Sequence, residues 1–276
     1  MEEDPAVVAR LRAAGCVFAE EEARLLAEAA RTPADLEAMV GQREEGLPLE
    51  QVVGWAEFCG LRIFVDPGVF VPRRRSEFLV ETAVSLAGET TPVIVDLCCG
   101  TGALGVAVAH RHPAARRTAD GPANAAVRLT LGLYAADIDP AAVRCARRNV
   151  GPLGGRVYEG DLFGPLPDTL HGRVTTLICN APYVPTDDIG LLPPEARDYE
   201  PRVALDGGSD GLGVLRRVAA EAPRWLAPGG VLLVETSDLQ AALMAGELED
   251  AGLIGRIYTD MEYESTVVTG IIRNGV

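Results

Sequence analysis

From Pro92 onward the chain alternates short, continuously apolar runs with amphipathic stretches, and this alternation constrains its fold more than any other feature. The candidate strands are Val93–Leu97, Leu133–Ile138, Arg156–Glu159, Thr175–Cys179, Val231–Glu235 and Thr266–Ile272. Helical stretches fall between them at Ala103–His110, Pro140–Asn149, Leu212–Leu226 and Leu239–Ala251. Strands that are apolar on both faces and separated by helices belong to a parallel sheet covered on both sides, an α/β fold. A further extended run around Ile254–Tyr258 meets the last strand through a turn near Glu262, so that last strand is expected to enter antiparallel. Residues 113–130, rich in Pro, Arg and Ala, break the rhythm and read as a long exposed loop.

The first part of the chain has a different texture. Residues 5 to about 45 read as helices, with Phe18, Ala23, Leu25, Leu26 and Ala29 at helical spacing among Glu20, Glu21, Glu22 and Glu28. Thr32-Pro33-x-Asp35 is a helix start, with threonine as the cap and proline in the first turn, and Gly41 and Gly46-Leu47-Pro48 are its expected stops. Two short apolar runs between Val52 and Val71, around Gly60 and Asp66-Pro67-Gly68, suggest a small hairpin. The domain plan is therefore a helical segment over 1–50, a hairpin and linker over 51–75, and the α/β domain over 76–276.

In such a sheet ligands sit beyond the carboxyl ends of the strands. The first strand runs into Asp96-Leu97-Cys98-Cys99-Gly100-Thr101-Gly102. Gly100 and Gly102 let the backbone turn sharply and let a ligand approach, and the following helix offers its N-terminal amides. The second strand ends in Asp137-Ile138-Asp139-Pro140. Asp137 is placed to accept two ribose hydroxyls, while Asp139 suits a helix cap before Pro140. After the third strand, Asp161 can accept from an adenine amino group and Leu162 can cover a ring face.

Gly100-x-Gly102-x-x-Gly105 also matches the dinucleotide fingerprint, a pattern of low specificity. A pyrophosphate turn gains nothing from Asp96, however, whereas an acid there suits a ligand with a cationic amino-acid end. S-adenosylmethionine is such a ligand and is the cofactor expected.

The fourth strand closes on Asn180-Ala181-Pro182-Tyr183. An amide nitrogen is a poor nucleophile because its lone pair is delocalised into the carbonyl. Two acceptors, the Asn180 side-chain oxygen and the Ala181 carbonyl, can hold both hydrogens of a planar NH2 group and aim its nitrogen at a methyl group. Pro182 stiffens the turn and Tyr183 offers a flat wall.

These motifs, together with Gly60-Leu61-Arg62-Ile63-Phe64-Val65, Val71-Pro72-Arg73, Glu195 to Pro201, Ala204 to Gly208 and Asp210-Gly211-Leu212, resemble the HemK/PrmC group of protein-(glutamine) methyltransferases. The similarity runs from about Leu47 to the C-terminus. It implies a seven-stranded, mostly parallel, Rossmann-like class I methyltransferase sheet with a small N-terminal helical domain and hairpin.

The resemblance also implies methylation by S-adenosylmethionine of a glutamine side-chain amide in an exposed loop of a protein, in that family a peptide-chain release factor. By position, the donor loop falls on Cys98 to Gly102 (Cys98, Cys99, Gly100, Thr101, Gly102), with Asp96 before it. The ribose acid falls on Asp137 beside Ile138, the adenine side on Leu162, and the substrate tetrapeptide on Asn180 to Tyr183. Cys98 stands where the family has glycine, and Ala181 where it has proline. These departures mark a divergent relative.

Composition narrows the partners. The net charge is −15, and all 25 basic residues are arginine. Such an acid excess opposes binding to phosphate backbones, so nucleic acid is not the expected direct substrate. The Arg73-Arg74-Arg75 cluster is the densest basic patch, read as a solvated turn or helix start. Six cysteines show no C-x-x-C pair, and His110-x-His112 is too small a set for a metal, so no metal is expected. With no apolar run of about 20 residues and no basic leader, a cytoplasmic monomer without membrane contact is expected. The competing readings are an adenine-amino methyltransferase acting on RNA or DNA, which would share the tetrapeptide, and a cofactor-binding scaffold that has lost activity.

Overall fold

The computed structural model describes residues 4–88, 91–114 and 131–272. Helices α1 (Pro5–Ala13), α2 (Ala19–Ala29), α3 (Pro33–Glu44) and α4 (Leu49–Val53) form the first unit. They close around Leu11, Leu26 and Val40, all fully buried. The Thr32 hydroxyl accepts the Asp35 N–H at 3.0 Å, the expected cap. Helix α3 runs through Gly41, an expected stop, and ends only at Glu44, with Glu45 as its cap. One interior glycine costs about 1 kcal/mol, which the helix's packing offsets.

Strands β1 (Trp55–Phe58) and β2 (Leu61–Phe64) form the hairpin, with Phe58 facing Leu61 across a two-residue turn. Both turn residues, Cys59 and Gly60, have positive φ (55° and 74°), as the twist of a tight hairpin demands. A turn of 3-10 helix at Arg74–Ser76 then leads into α5 (Glu77–Ser85). The sequence reading contains no α5, because its apolar residues follow one another (Phe78, Leu79, Val80) rather than keeping to one stripe. The helix packs beside α6 (Ala103–Arg111) and against the large sheet.

That sheet has seven strands: β3 (Val93–Leu97), β4 (Gly132–Asp137), β5 (Arg156–Glu159), β6 (Val174–Cys179), β7 (Leu226–Thr236), β8 (Ile254–Asp260) and β9 (Ser265–Ile271). Their order is β5-β4-β3-β6-β7-β9-β8, parallel except for β9, which runs against both neighbours as expected. The long β7 includes Leu226, so the preceding helix stops one residue earlier than expected. Helices α7 (Pro140–Val150), α8 (Pro194–Tyr199), α9 (Gly213–Trp225) and α10 (Asp238–Asp250) complete the chain. The loop expected over 113–130 lies almost wholly in 115–130, outside the described residues.

Successive strand residues feed opposite faces of the sheet. Leu97, Leu177 and Leu232 pack with Leu215, Trp225 and Met244, while Ile94, Ile178 and Leu233 pack with Leu79, Val108 and Val150. The winding reverses between β3 and β6, which pair with Leu97 opposite Cys179. Cys98 and Asn180 therefore leave the sheet side by side, at the point where open α/β sheets bind ligands.

Candidate active site

A cavity of about 960 Å³ opens at this reversal point. It is lined by Cys98, Cys99, Gly100 and Thr101 from the first loop, Asp137 and Ile138 after β4, Asp161 and Leu162 after β5, and Asn180 to Tyr183 after β6. The sequence reading and the family resemblance together nominate all of these. Asp96 and Gly102 were also nominated, and the structure places both outside the lining.

Asp96 is 1% exposed, and its Oδ2 accepts the Gly105 N–H at 2.9 Å. It thus holds the first turn of α6 from below. Its other oxygen is buried with no partner among the described residues, and burial pushes the carboxyl up to about 8. A Cβ on Gly105 would lie 3.0 Å from that carboxylate, and one on Gly102 would lie 2.8 Å from a Val150 methyl. Two of the three glycines of the fingerprint therefore serve packing. Only Gly100 (φ +54°) has open space where a Cβ would be, leaving its backbone free for a ligand to approach.

Cys98 adopts φ +52°. That left-handed conformation costs an L-residue roughly 1–2 kcal/mol, so the loop keeps a glycine-like shape without the glycine. The Cys98 thiol and burial together hold the Cys179 thiol well above its usual range, so it stays neutral.

Asp137 is oriented by two backbone amides. Gly100 N–H donates to Oδ2 at 2.8 Å, and Asp139 N–H donates to Oδ1 at 2.9 Å. Burial still raises its pKa. Each oxygen keeps lone pairs for a vicinal diol. Asp139, which also reaches the cavity wall, caps α7 through the Ala141 N–H at 2.8 Å, so of the two it is Asp137 that is placed for a diol. Asp161 pairs with Arg217 at 2.5 Å, so its carboxylate is engaged before any ligand arrives. Leu162 is buried, and Ile138 is half exposed at the rim.

The tetrapeptide is fixed from several directions. Asn180 Nδ2 donates to the Ser76 hydroxyl at 3.2 Å. The Ala181 carbonyl takes no backbone hydrogen bond among the described residues. The Tyr183 hydroxyl donates to Glu235 Oε1 at 3.1 Å, burial holds its pKa well above the usual value, and the Arg75 guanidinium stands 5.5 Å from its ring centre. The Tyr183 carbonyl accepts from Gln240 at 2.9 Å.

The block from Ala204 to Leu212 cradles the tetrapeptide's exit. Val184 N–H donates to Leu205 O at 3.1 Å, and Gly207 N–H donates to Val184 O at 2.8 Å. A Cβ on Gly211 would come within 2.2 Å of the Tyr183 carbonyl, and one on Gly207 within 2.7 Å of the Pro182 carbonyl. Sequence reasoning singled out this block without a role. It did not single out Ser76, and it named Glu235 only as the end of a strand, since neither contact follows from a local pattern.

No family model matches the chain. Among curated proteins, the release factor glutamine methyltransferase of Geobacter sulfurreducens is 38% identical over 216 residues, covering 78% of this chain and 69% of that protein. The release factor glutamine methyltransferase of Mycolicibacterium smegmatis is 39% identical over 211 residues, covering 76% and 68%. The 4-amino-L-phenylalanine/4-methylamino-L-phenylalanine methyltransferase of Streptomyces pristinaespiralis is 38% identical over 203 residues, covering 71% and 63%. Of solved structures, a methyltransferase from Pyrococcus furiosus superposes with a TM-score of 0.53 at 16% identity, covering 78% of this chain and 90% of its own. A T. thermophilus 16S rRNA N2 methyltransferase in complex with AdoMet and guanosine gives 0.52 at 17% identity, covering 79% and 50%. At such low identity these two likenesses speak for the fold, that of the class I methyltransferases.

Proposed function

Because this chain belongs to the release factor glutamine methyltransferase family, we propose that it transfers a methyl group from S-adenosylmethionine to the side-chain amide nitrogen of a glutamine in a protein, with a peptide-chain release factor as the first candidate. The observation that carries the reading is the pair of acceptors at the cavity. The Asn180 amide has its nitrogen tied back to Ser76, and the adjacent Ala181 carbonyl is open.

The cofactor fits the other half of the cavity. Asp137 would take the ribose hydroxyls, Leu162 would flank the adenine, and the Gly100 backbone would face the amino-acid end. Bound there, S-adenosylmethionine supplies a methyl group made electrophilic by its sulfonium. The chain's own contribution is positioning: Asn180 Oδ1 and Ala181 O hold both N–H bonds of the acceptor and stabilise positive charge developing on its nitrogen. No side chain need remove a proton beforehand. Tyr183, braced by Glu235 and Arg75, supplies a wall for a flat group. A substrate in the translation machinery sets the place of action in the cytoplasm, and we take the working form as a monomer. Among the described residues no helix is long and apolar enough to cross a membrane.

The curated relatives favour a protein amide over the amino group of adenine. A second reading rests on the Streptomyces relative, whose name specifies an aromatic amine as acceptor. A planar aromatic NH2 presents the same two hydrogens to the same two oxygens.

Mass spectrometry after incubation with S-adenosylmethionine and a purified release factor tests the first reading, with free 4-aminophenylalanine in a parallel reaction. Methyl on a release-factor glutamine is expected. Methyl on the free amine alone would replace the protein substrate with a small molecule, and methyl on neither would overturn both.

A further inference from the structure

We infer that Ser76 is a positioning residue for methyl transfer: its hydroxyl fixes the Asn180 amide with the nitrogen turned away from the acceptor and the oxygen toward it. The inference rests on the proposed reading of Asn180 and adds a residue from outside the sheet.

An asparagine amide is nearly symmetric in shape, and the two flips present opposite chemistry. With Oδ1 toward the cavity, Asn180 accepts a hydrogen from an NH2 group. With Nδ2 there, it would repel that group's hydrogens. The sheet does not choose between them, because both flips fill the same space at the end of β6. In the structure Asn180 Nδ2 donates to Ser76 Oγ at 3.2 Å. A hydroxyl could also donate to the amide oxygen, so Ser76 holds the amide in place, and an acceptor NH2 group, whose hydrogens only an oxygen can receive, favours the flip seen. Ser76 is 2% exposed, so no bulk water competes for that bond.

A hydroxyl can hold a partner only if it is itself held. The turn that carries Ser76 is anchored by two ion pairs to buried carboxylates, both made by arginines just before it in the chain. Arg73 Nη2 lies 2.6 Å from Glu200 Oε1, whose side chain is fully buried. Arg75 Nε lies 3.1 Å from Glu235 Oε1, whose side chain is 2% exposed. The Ser76 N–H also closes the turn onto Arg73 O at 2.9 Å. Charged hydrogen bonds to buried acids are the stronger kind, and two of them across one turn leave little freedom to Ser76. The arginine cluster thus has a structural reason to sit just here. Arg73 and Arg75 face inward as struts, and Arg74 pairs with Glu262 at 3.6 Å.

The test compares the wild-type chain with Ser76→Ala and Ser76→Thr. With a release factor as acceptor, Ser76→Ala should lose roughly tenfold in kcat, the scale of one neutral hydrogen bond, with the Kd for S-adenosylmethionine unchanged. Ser76→Thr, which keeps the hydroxyl, should recover most of the rate. A separate readout needs no acceptor: the side-chain NH2 of Asn180, followed by NMR in 15N-labelled protein, should be protected from exchange in the wild type and Ser76→Thr and unprotected in Ser76→Ala. Equal kcat in Ser76→Ala and wild type, or an Asn180 NH2 signal indifferent to the hydroxyl, would overturn the inference. If the wild type leaves the release factor unmodified, the acceptor assignment fails, and the exchange measurement still decides the role of Ser76.

Discussion

The Arg43 guanidinium of helix α3 lies 3.0 Å from the carboxylate of Glu195, a residue of the cavity wall 152 positions further along the chain. The same group donates to Glu22 at 2.8 Å and to the Leu47 carbonyl, and its side chain is only 4% exposed. A single buried cation thus joins the amino-terminal helices to the segment that walls the acceptor side of the cavity. Arg43→Ala would leave the Glu22 carboxylate, itself 12% exposed, without a counter-charge. A loss of about 3–5 kcal/mol of unfolding free energy is expected by urea denaturation. Adding Glu22→Gln should restore part of it, and a double variant no better than the single one would show that the pair is not what stabilises the joint.

Asn180→Ala removes one of the two acceptors at the site while sparing the cofactor half of the cavity. Turnover should fall roughly 100- to 1,000-fold, as on losing one preorganised transition-state hydrogen bond. Calorimetry should find the affinity for S-adenosylmethionine unchanged. A variant that turns over at the wild-type rate would exclude the role given to this side chain.

Asp137→Ala should do the reverse. Beyond losing two ribose hydrogen bonds, it strips the Gly100 N–H of its 2.8 Å partner, so the loop loses its brace as well. Binding of S-adenosylmethionine should weaken about 10- to 100-fold, the scale of hydrogen bonds to a charged group. An unaltered Kd would rule out ribose recognition by this acid.

The unpartnered oxygen of Asp96 has a consequence for pH. An unfolded aspartate titrates near 3.9, and burial places this one at about 8 in the folded chain. Between those values the folded state holds a proton that the unfolded state has released. This group's contribution therefore makes the ligand-free protein lose stability as pH rises through the window, by at most about 1.4 kcal/mol per pH unit, and level off above about 8. Asp96→Asn keeps an acceptor for the Gly105 N–H and removes the titration. Its stability, followed by urea melts across this window, should depend less steeply on pH than that of the wild type. Parallel profiles would assign the slope elsewhere.

Much of the site was legible because its determinants are local. Gly100 and Asp137 sit at the ends of apolar runs that can only be buried strands, and Thr32 and Asp139 announce their helices through side-chain oxygens two or three residues from the amides they cap. The same local reasoning erred at Gly41, where tertiary packing overrode a weak breaker, and it could not show that Asp96, at the same strand end as the cavity residues, is buried beneath the loop on the Gly105 N–H.

The sequence by itself settled the alternation of strands and helices, the two loops at strand ends and the chemistry each can offer, since apolar period, glycine freedom and capping act over a few residues. Only the tertiary structure decided which strands lie side by side, and so that Cys98 and Asn180 emerge together across the Leu97–Cys179 pairing. It also supplied the hydroxyl that holds the Asn180 amide, from a serine 104 residues away. Hydrogen bonds across such distances depend on the order in which the chain crosses the sheet, and no local pattern records that order.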